Sequence, residues 1–235
     1  IVFSSTCATY GMPVKIPITE RDPQKPVNPY GESKLFVEKI LHWNAVATGL
    51  GYVALRYFNA AGADLEGELG EIHDPETHAI PLAIQAAQGS RSDFELYGTD
   101  YPTPDGTAIR DYIHVDDLAG AHVAALRYLQ EGGESDAFNL GTGTGHSVRE
   151  VIRAIEATGS RPVPVKEVAR RPGDPAELVA DAAKAGAVLG WRAEHSDLKT
   201  IVESAWRWAL SYPNAGERAG RVEPSAPADP TDPAD

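Results

Sequence analysis

The chain opens on an uninterrupted apolar run, Ile1-Val2-Phe3, that turns polar at once in Ser4-Ser5-Thr6. This pattern predicts a buried strand over residues 1–3 with hydroxyls at its carboxyl end, which is where open α/β sheets place ligands. Residues 11–29 are rich in proline and polar side chains and read as a surface loop. From 30 to about 48, Leu35, Val37, Ile40 and Leu41 predict a helix. Asn28 suits its N-cap, Pro29 its first helical position and Gly49 its C-cap. Residues 52–57, Tyr-Val-Ala-Leu-Arg-Tyr, then form a strand that runs into a polar-tipped loop, Phe58-Asn59-Ala60-Ala61-Gly62. Strand, helix and strand in that order make a parallel βαβ unit.

Residues 63–77 hold four glutamates, two glycines and a proline and predict an exposed loop. A short apolar helix over 80–87, closed by Gly89, precedes a strand over 94–97 and a turn cluster over 100–106. Residues 109–115 read as one continuous strand leading to Asp116, the expected N-cap of a helix to about 129. A strand over 138–140 follows. Ser147 and Glu150 have capping-box spacing and start a helix to 157. Helices over 182–189 and 198–210 complete the ordered part. From 217 to 235 the chain is an acidic Pro/Ala tail, too poor in apolar residues to fold, and is expected to be disordered.

At 235 residues and 42% apolar composition the chain can bury a sizeable core. The net charge of −13 excludes nucleic acid as an expected partner, because phosphate backbones call for a basic face. A phosphorylated small molecule needs only two or three local arginines or lysines and stays open. Cys7 is the single cysteine, so no disulfide framework is expected and a reducing cytoplasm suits the chain. No apolar run approaches the ~18 residues a membrane helix needs. A full-length protein seldom starts inside a core strand without Met, so a fragment is expected.

Tyr30 and Lys34 carry the first chemical signal. Four apart at the start of a helix, they share one face, and a cation beside a phenol lowers its pKa from about 10 toward that of a general base. Alone, the pair is also what an ordinary amphipathic helix shows. Its setting decides: one strand delivers Ser4-Ser5-Thr6 to the same edge where the next delivers Tyr57 and Asn59.

With those residues on the page, the chain resembles the extended short-chain dehydrogenase/reductase superfamily, whose triad is Ser or Thr, Tyr and Lys. Residues 97–107 (YGTDYPTPDGT), 109–115 (IRDYIHV), 139–143 (NLGTG) and 170–174 (RRPGD) resemble its UDP-glucose 4-epimerase family, over residues 1 to about 214. The resemblance implies an α/β fold: the C-terminal part of an NAD(P)-binding, Rossmann-like, doubly wound parallel sheet plus a smaller α/β substrate domain. Residues 1–62 and about 111–145 would form the first part, and 63–110 with 146–216 the substrate domain.

The implied reaction is NAD-dependent interconversion of UDP-galactose and UDP-glucose, by C4 oxidation, rotation of the 4-keto sugar and re-reduction. Tyr30 would be the base, and Lys34 would depress its pKa while binding the cofactor ribose. Thr6 would hydrogen-bond the 4-hydroxyl, with Ser5 the rival for that position. Ser4, Ser5, Tyr30, Lys34 and Tyr57 would line the cofactor. Arg110 and Arg171 would grip the diphosphate, Asp174 a ribose hydroxyl and Asn59 the diphosphate or sugar. Leu96-Tyr97-Gly98 would bracket the uracil. Thr77-His78-Ala79 stands where many relatives have Asn in place of His78. Leu178 stands where residue size admits or excludes an N-acetyl group. A full-length protein would be a homodimer acting on a UDP-hexose, with no membrane partner.

Other signals read as structure. Gly141-Thr142-Gly143-Thr144-Gly145 has the spacing of a close-packed turn, not of a G-x-G-x-x-G dinucleotide loop. His114 with Asp116 and Asp117, and His73 with His78, are explained as N-cap and loop residues, and no metal is expected. Trp191, Trp206 and Trp208 read as core. The family's glycine-rich G-x-x-G-x-x-G loop and its acidic ribose-binding residue do not occur, so the resemblance leads one to expect roughly a hundred further residues of the nucleotide domain before Ile1. Three alternatives follow: part of a full epimerase, a non-catalytic UDP-sugar-binding remnant, or a related nucleotide-sugar epimerase or dehydratase. The stretch Thr6-Cys7-Ala8-Thr9 lacks the carboxylate that dehydration calls for.

Overall fold

The computed structural model describes residues 1–212; the expected tail over 217–235 lies outside the described residues. Its first layer is a parallel sheet of β1 (Val2–Thr6), β2 (Val53–Tyr57) and β7 (Asp136–Leu140) in the order β1-β2-β7. Val2 stands opposite Val53 and Thr6 opposite Tyr57, so both strands end level with one another. The central strand is buried on both faces, with Val53 and Leu55 on one face and Ala54 and Arg56 on the other. Helix α1 (Pro29–Thr48) packs along β1, and α3 (Val115–Gln130) along β2. Val53, Leu55, Phe138 and Leu140 are fully buried there, each contributing about 1.5–3 kcal/mol of apolar burial.

α1 has the caps its sequence announces. The Asn28 side chain accepts the Gly31 amide at 2.8 Å, Pro29 occupies the first turn, and Gly49 ends the helix at φ 74°. α3 differs from expectation: its N-cap is His114, whose Nδ1 accepts the Asp116 amide at 3.1 Å, so Asp116 lies within the helix. α4 (Val148–Gly159) begins with the capping box of Ser147 and Glu150.

A second core gathers α2 (Ala79–Gln88), α4, α6 (Leu198–Ser211) and β4 (Phe94–Tyr97) around Ile84, Leu96, Ile155 and Ile201. Here β9 (Val165–Val168), not foreseen from the sequence, pairs in parallel with β4. The expected continuous strand over 109–115 is broken. β5 (Ile109–Arg110) pairs with β10 (Glu177–Leu178) and with β8 (His146–Ser147), whereas β6 (Tyr112–His114) pairs with β3 (Asn59–Ala61). The loop expected at 58–62 therefore contains a strand.

The break falls at Asp111, which is wholly buried. Its carboxylate accepts bonds from the Thr142 amide (2.9 Å), the Thr142 hydroxyl (2.7 Å), and the amides of Gly143 and Ala180 (3.1 Å each). The Gly141–Gly145 turn thus closes on a carboxylate of its own chain. A Cβ on Gly141 would come within 2.5 Å of that carboxylate. α5 (Ala183–Leu189) then packs against β7, and Trp191 is buried with its indole bonded to the Asp117 carbonyl. Trp208 is not core as expected, since it lines a cavity described below.

Candidate active site

The carboxyl end of β1 and the first turn of α1 meet through a missing side chain. A Cβ at Gly31 would lie 2.5 Å from the Ala8 carbonyl oxygen. Glycine therefore lets α1 descend onto the turn at Cys7–Thr9, which Thr6 caps by accepting the Ala8 amide at 3.2 Å. This approach brings Tyr30, 54% exposed, beside the nearly buried Thr6. Lys34 lies one turn on, with Nζ 5.7 Å from the Tyr30 ring centre, and donates to the Ser4 carbonyl at 3.0 Å.

The expected depression of the Tyr30 pKa is not found among the protein's own groups. Burial raises it above 10 and outweighs the opposing hydrogen bond with Thr6. The Lys34 ammonium is turned toward a backbone oxygen, so phenolate formation calls for a further positive charge at this edge.

Ser5 loses its rivalry with Thr6. Successive strand residues face opposite ways, and the Ser5 hydroxyl donates to Glu38 in a buried cluster behind the strand. There Arg56 gives Nε to Glu38 at 3.0 Å, NH2 to its second oxygen at 2.7 Å, and NH1 to the Tyr10 hydroxyl at 2.9 Å. Tyr10 in turn donates to Asn139 at 2.7 Å, and burial raises its pKa to about 12. The Ser5 side chain is wholly buried in this cluster. Ser4 Oγ meets His122 Nε2 at 2.9 Å, and the His122 ring lies 6.5 Å from that of Tyr57. Burial pushes the Cys7 thiol to about 12, which leaves it no part as a nucleophile at neutral pH.

A second group of side chains forms around β5 and β10. Arg110 and Leu178 are register partners, and Arg110 donates to Asp174 at 2.5 Å and to the Ile109 carbonyl at 2.7 Å. The guanidinium of Arg171 stacks on Tyr97, 3.9 Å from its ring centre, and Arg170 stacks on Tyr101 at 4.3 Å. Leu96 faces the other way, into the core with Ile84 and Ile155, and Gly98 turns at φ 79°, where a Cβ would strike Tyr101. The Tyr101 hydroxyl is buried with no hydrogen-bond partner. Leu178 packs against Cys7, Tyr10 and Phe58, so the strand end carrying Thr6 and the arginine group share one small core.

The remaining expected residues sit elsewhere. Asn59, His78 and Ala79 line a cavity of about 300 Å³ between β3, α2 and α6, together with Glu71, His73, Glu76 and Trp208. Thr6, Tyr30, Arg110 and Arg171 are not in its wall. Thr77 gives its amide to the Glu76 carboxylate at 2.7 Å. His114 is fully buried, bonded to Ser204 Oγ at 3.0 Å, and burial lowers its pKa, so it is a structural histidine. The fold gathers His73 and His78 with Glu71 and Glu76.

A parallel sheet whose strands end level at Thr6 and Tyr57, with a Tyr–Lys turn beside them, belongs to the Rossmann-like α/β class. The family model described as the NAD dependent epimerase/dehydratase family matches residues 1–141, and the chain belongs to that family. Among curated relatives, the UDP-glucose 4-epimerase of Rhizobium meliloti (strain 1021) is 58% identical over 207 residues, covering 88% of this chain and 63% of that protein. The structure of UDP-glucose 4-epimerase from Brucella ovis in complex with NAD aligns at TM-score 0.86 and 55% identity, covering 92% of this chain and 64% of that one. The Bifidobacterium longum enzyme in complex with NAD+ and UDP aligns at TM-score 0.85 and 44% identity, with coverage of 92% and 64%. The chain spans a little under two thirds of the length of the curated relatives it matches.

Proposed function

We propose that this chain carries the proton-transfer and nucleotide-gripping parts of a UDP-glucose 4-epimerase that interconverts UDP-galactose and UDP-glucose. The single observation behind this reading is the meeting of Thr6, Tyr30 and Lys34 at one strand end, with Arg110, Asp174 and Arg171 joined to it through Leu178. The relatives named above bear that enzyme's name, and two of their structures hold NAD.

The residues present fit the nicotinamide-ribose end of NAD. Tyr30 is half open to solvent, and Lys34 is a three-proton donor with one bond committed to Ser4. NAD, when bound, supplies a hydride acceptor for C4 and a positive charge at this edge. Tyr30 would take the 4-hydroxyl proton as C4 is oxidised and give it back to the keto oxygen as C4 is reduced again. Thr6 orients that hydroxyl, and Lys34 orients the ribose. Arg110 and Arg171 bind the diphosphate, Asp174 a ribose hydroxyl, and Tyr97 with Leu96 and Gly98 the uracil. Asn59, with Thr77 and Ala79, holds the sugar side, and Leu178 sets the room at C2. Ser4 and Tyr57 complete the cofactor wall.

Residues 1–62 with about 111–145 serve as the cofactor half, and 63–110 with 146–216 as the substrate half. The protein acts as a cytoplasmic homodimer. Phe36, Ile40 and Trp43 give α1 an exposed apolar stripe at helical spacing, the surface a partner copy would cover. None of the helices among the described residues is long and apolar enough to cross a membrane.

Replacement Tyr30→Phe tests the base. Turnover between UDP-galactose and UDP-glucose is expected to fall roughly 10²–10⁴-fold, with UDP affinity within about twofold of the original. A near-unchanged rate overturns the assignment of Tyr30.

A further inference from the structure

We propose that Glu71, His73, Glu76 and His78 form a binding site for one borderline divalent cation, with Zn2+ the best match. The cation would tie the loop over 62–78 to the start of α2.

One ligand atom from each of these four side chains lies within 4.8 Å of every other. Two carboxylates converge on a single imidazole nitrogen: His78 Nδ1 is 2.5 Å from Glu71 Oε1 and 3.1 Å from Glu76 Oε1. That nitrogen has one position, for a proton or for a lone pair, and cannot serve both oxygens fully by donating. His73 Nδ1 stands 3.8 Å from the same Glu76 oxygen, with the two imidazole rings 5.1 Å apart. Among the described residues, no lysine or arginine is paired with either glutamate. A cation at the centre relieves the crowding, because the imidazoles can then offer it their lone pairs and His78 Nδ1 need not donate to two carboxylates.

The scaffold is already held. Trp208 Nε1 donates to the Glu71 carbonyl at 2.9 Å, and a Cβ on Gly70 would lie 2.2 Å from the Trp208 ring. The Glu76 oxygen is fixed by the amides of Thr77 (2.7 Å) and His78 (2.8 Å), an orienting contact of the kind that metal-bound carboxylates receive. His78 is the N-cap residue of α2, yet its side chain makes no cap bond and is turned toward the glutamates.

The donor chemistry chooses the ion. Two imidazoles and two carboxylates suit Zn2+ and its first-row neighbours, whereas Ca2+ and Mg2+ call for oxygen alone. Tetrahedral Zn2+ with bonds of about 2.1 Å sets its ligands about 3.4 Å apart. Rotation of the four partly exposed side chains supplies the contraction from 4.8 Å. The ion would stiffen the wall that these residues share with Asn59.

The test uses the protein purified without a histidine tag and stripped with a chelator, then titrated with Zn2+ and with Co2+. One equivalent of each is expected, the cobalt form showing the intense visible bands of a four-coordinate ion. His73→Ala and Glu76→Gln should each weaken binding more than about 100-fold, beyond the 10–100-fold that losing an orienting partner costs. His42→Ala, on the exposed face of α1, should leave binding unchanged. Absence of a bound equivalent overturns the site. So does binding that survives His73→Ala with His78→Ala, or that falls equally in His42→Ala. The cobalt spectrum of the unmutated protein stands whatever the variants do to folding.

Discussion

Arg56 and Arg110 both lie on parallel-paired strands, and both hold a carboxylate at hydrogen-bond distance, yet they are put to different use. Arg56 and Glu38 are each 8% exposed at the side chain, and three guanidinium nitrogens are engaged by Glu38 and Tyr10. Ser5 and Gln24 finish the Glu38 oxygens. Arg110 is equally close to its partner, but Asp174 is 29% exposed and only two of the guanidinium nitrogens are bonded. A charge whose nitrogens are all engaged from within belongs to the fold. One with a solvent-facing partner and donors to spare can exchange that partner for a ligand's phosphate.

Breaking the inner pair gives the largest expected effect. Glu38→Ala leaves Arg56 buried and uncompensated and should cost about 3–5 kcal/mol in a urea denaturation experiment. The same pair carries a pH signature. Burial alone would raise the Glu38 carboxyl, but Arg56, Ser5 and Gln24 together hold it below its ordinary value. A carboxyl lowered in the folded state contributes stability above its unfolded pKa of about 4.3 and loses it as pH falls through the folded value. Acid unfolding should therefore flatten at its upper end in Glu38→Gln relative to the unmutated protein. A shift of under about 1 kcal/mol in Glu38→Ala would show that the cluster is not structural.

The outer pair should answer differently. Arg110→Ala is expected to weaken UDP binding by roughly 10–100-fold, the worth of one or two charge-assisted hydrogen bonds, while stability moves by less than about 1 kcal/mol. Calorimetry of UDP binding alongside thermal melting separates the two. If Arg110→Ala unfolds the protein as Glu38→Ala does, the distinction between the arginines fails. The smallest effect belongs to Arg171→Lys, which keeps the charge but loses the flat stack on Tyr97, for about 0.5–1 kcal/mol of UDP affinity.

How much of this was legible in the sequence varies with how local the determinant is. α1 was readable almost to the residue, because Asn28, Pro29 and Gly49 act within one turn of the helix they bound. The parallel sheet followed from an apolar strand, a helix and another apolar strand. The break at Asp111 was not readable, since an acidic residue inside an apolar run gives no sign that residues 142, 143 and 180 will enclose it. Strands of two residues, such as β5 and β10, are too short to show a period. Between Ser5 and Thr6 the strand alternation held the answer, but only once Glu38 is known to lie behind the sheet. The Tyr–Lys spacing showed that the two side chains share a face, and it could not show where the ammonium points. The gathering of Glu71, His73, Glu76 and His78 depends on the path of a loop with no repeating pattern, anchored by Trp208 from 137 residues away.

The close approach at Gly31 has a consequence for how this protein tolerates change. The gap between the phenol of Tyr30 and the hydroxyl of Thr6 is set by a carbon atom that is not there. Any side chain at position 31 would lift the first turn of α1 off the Ala8 carbonyl and carry the phenol with it. In a survey of variants, position 31 is expected to be as intolerant as Tyr30 and Thr6, though it carries no side chain of its own. The working distance of the site is inherited as an empty space.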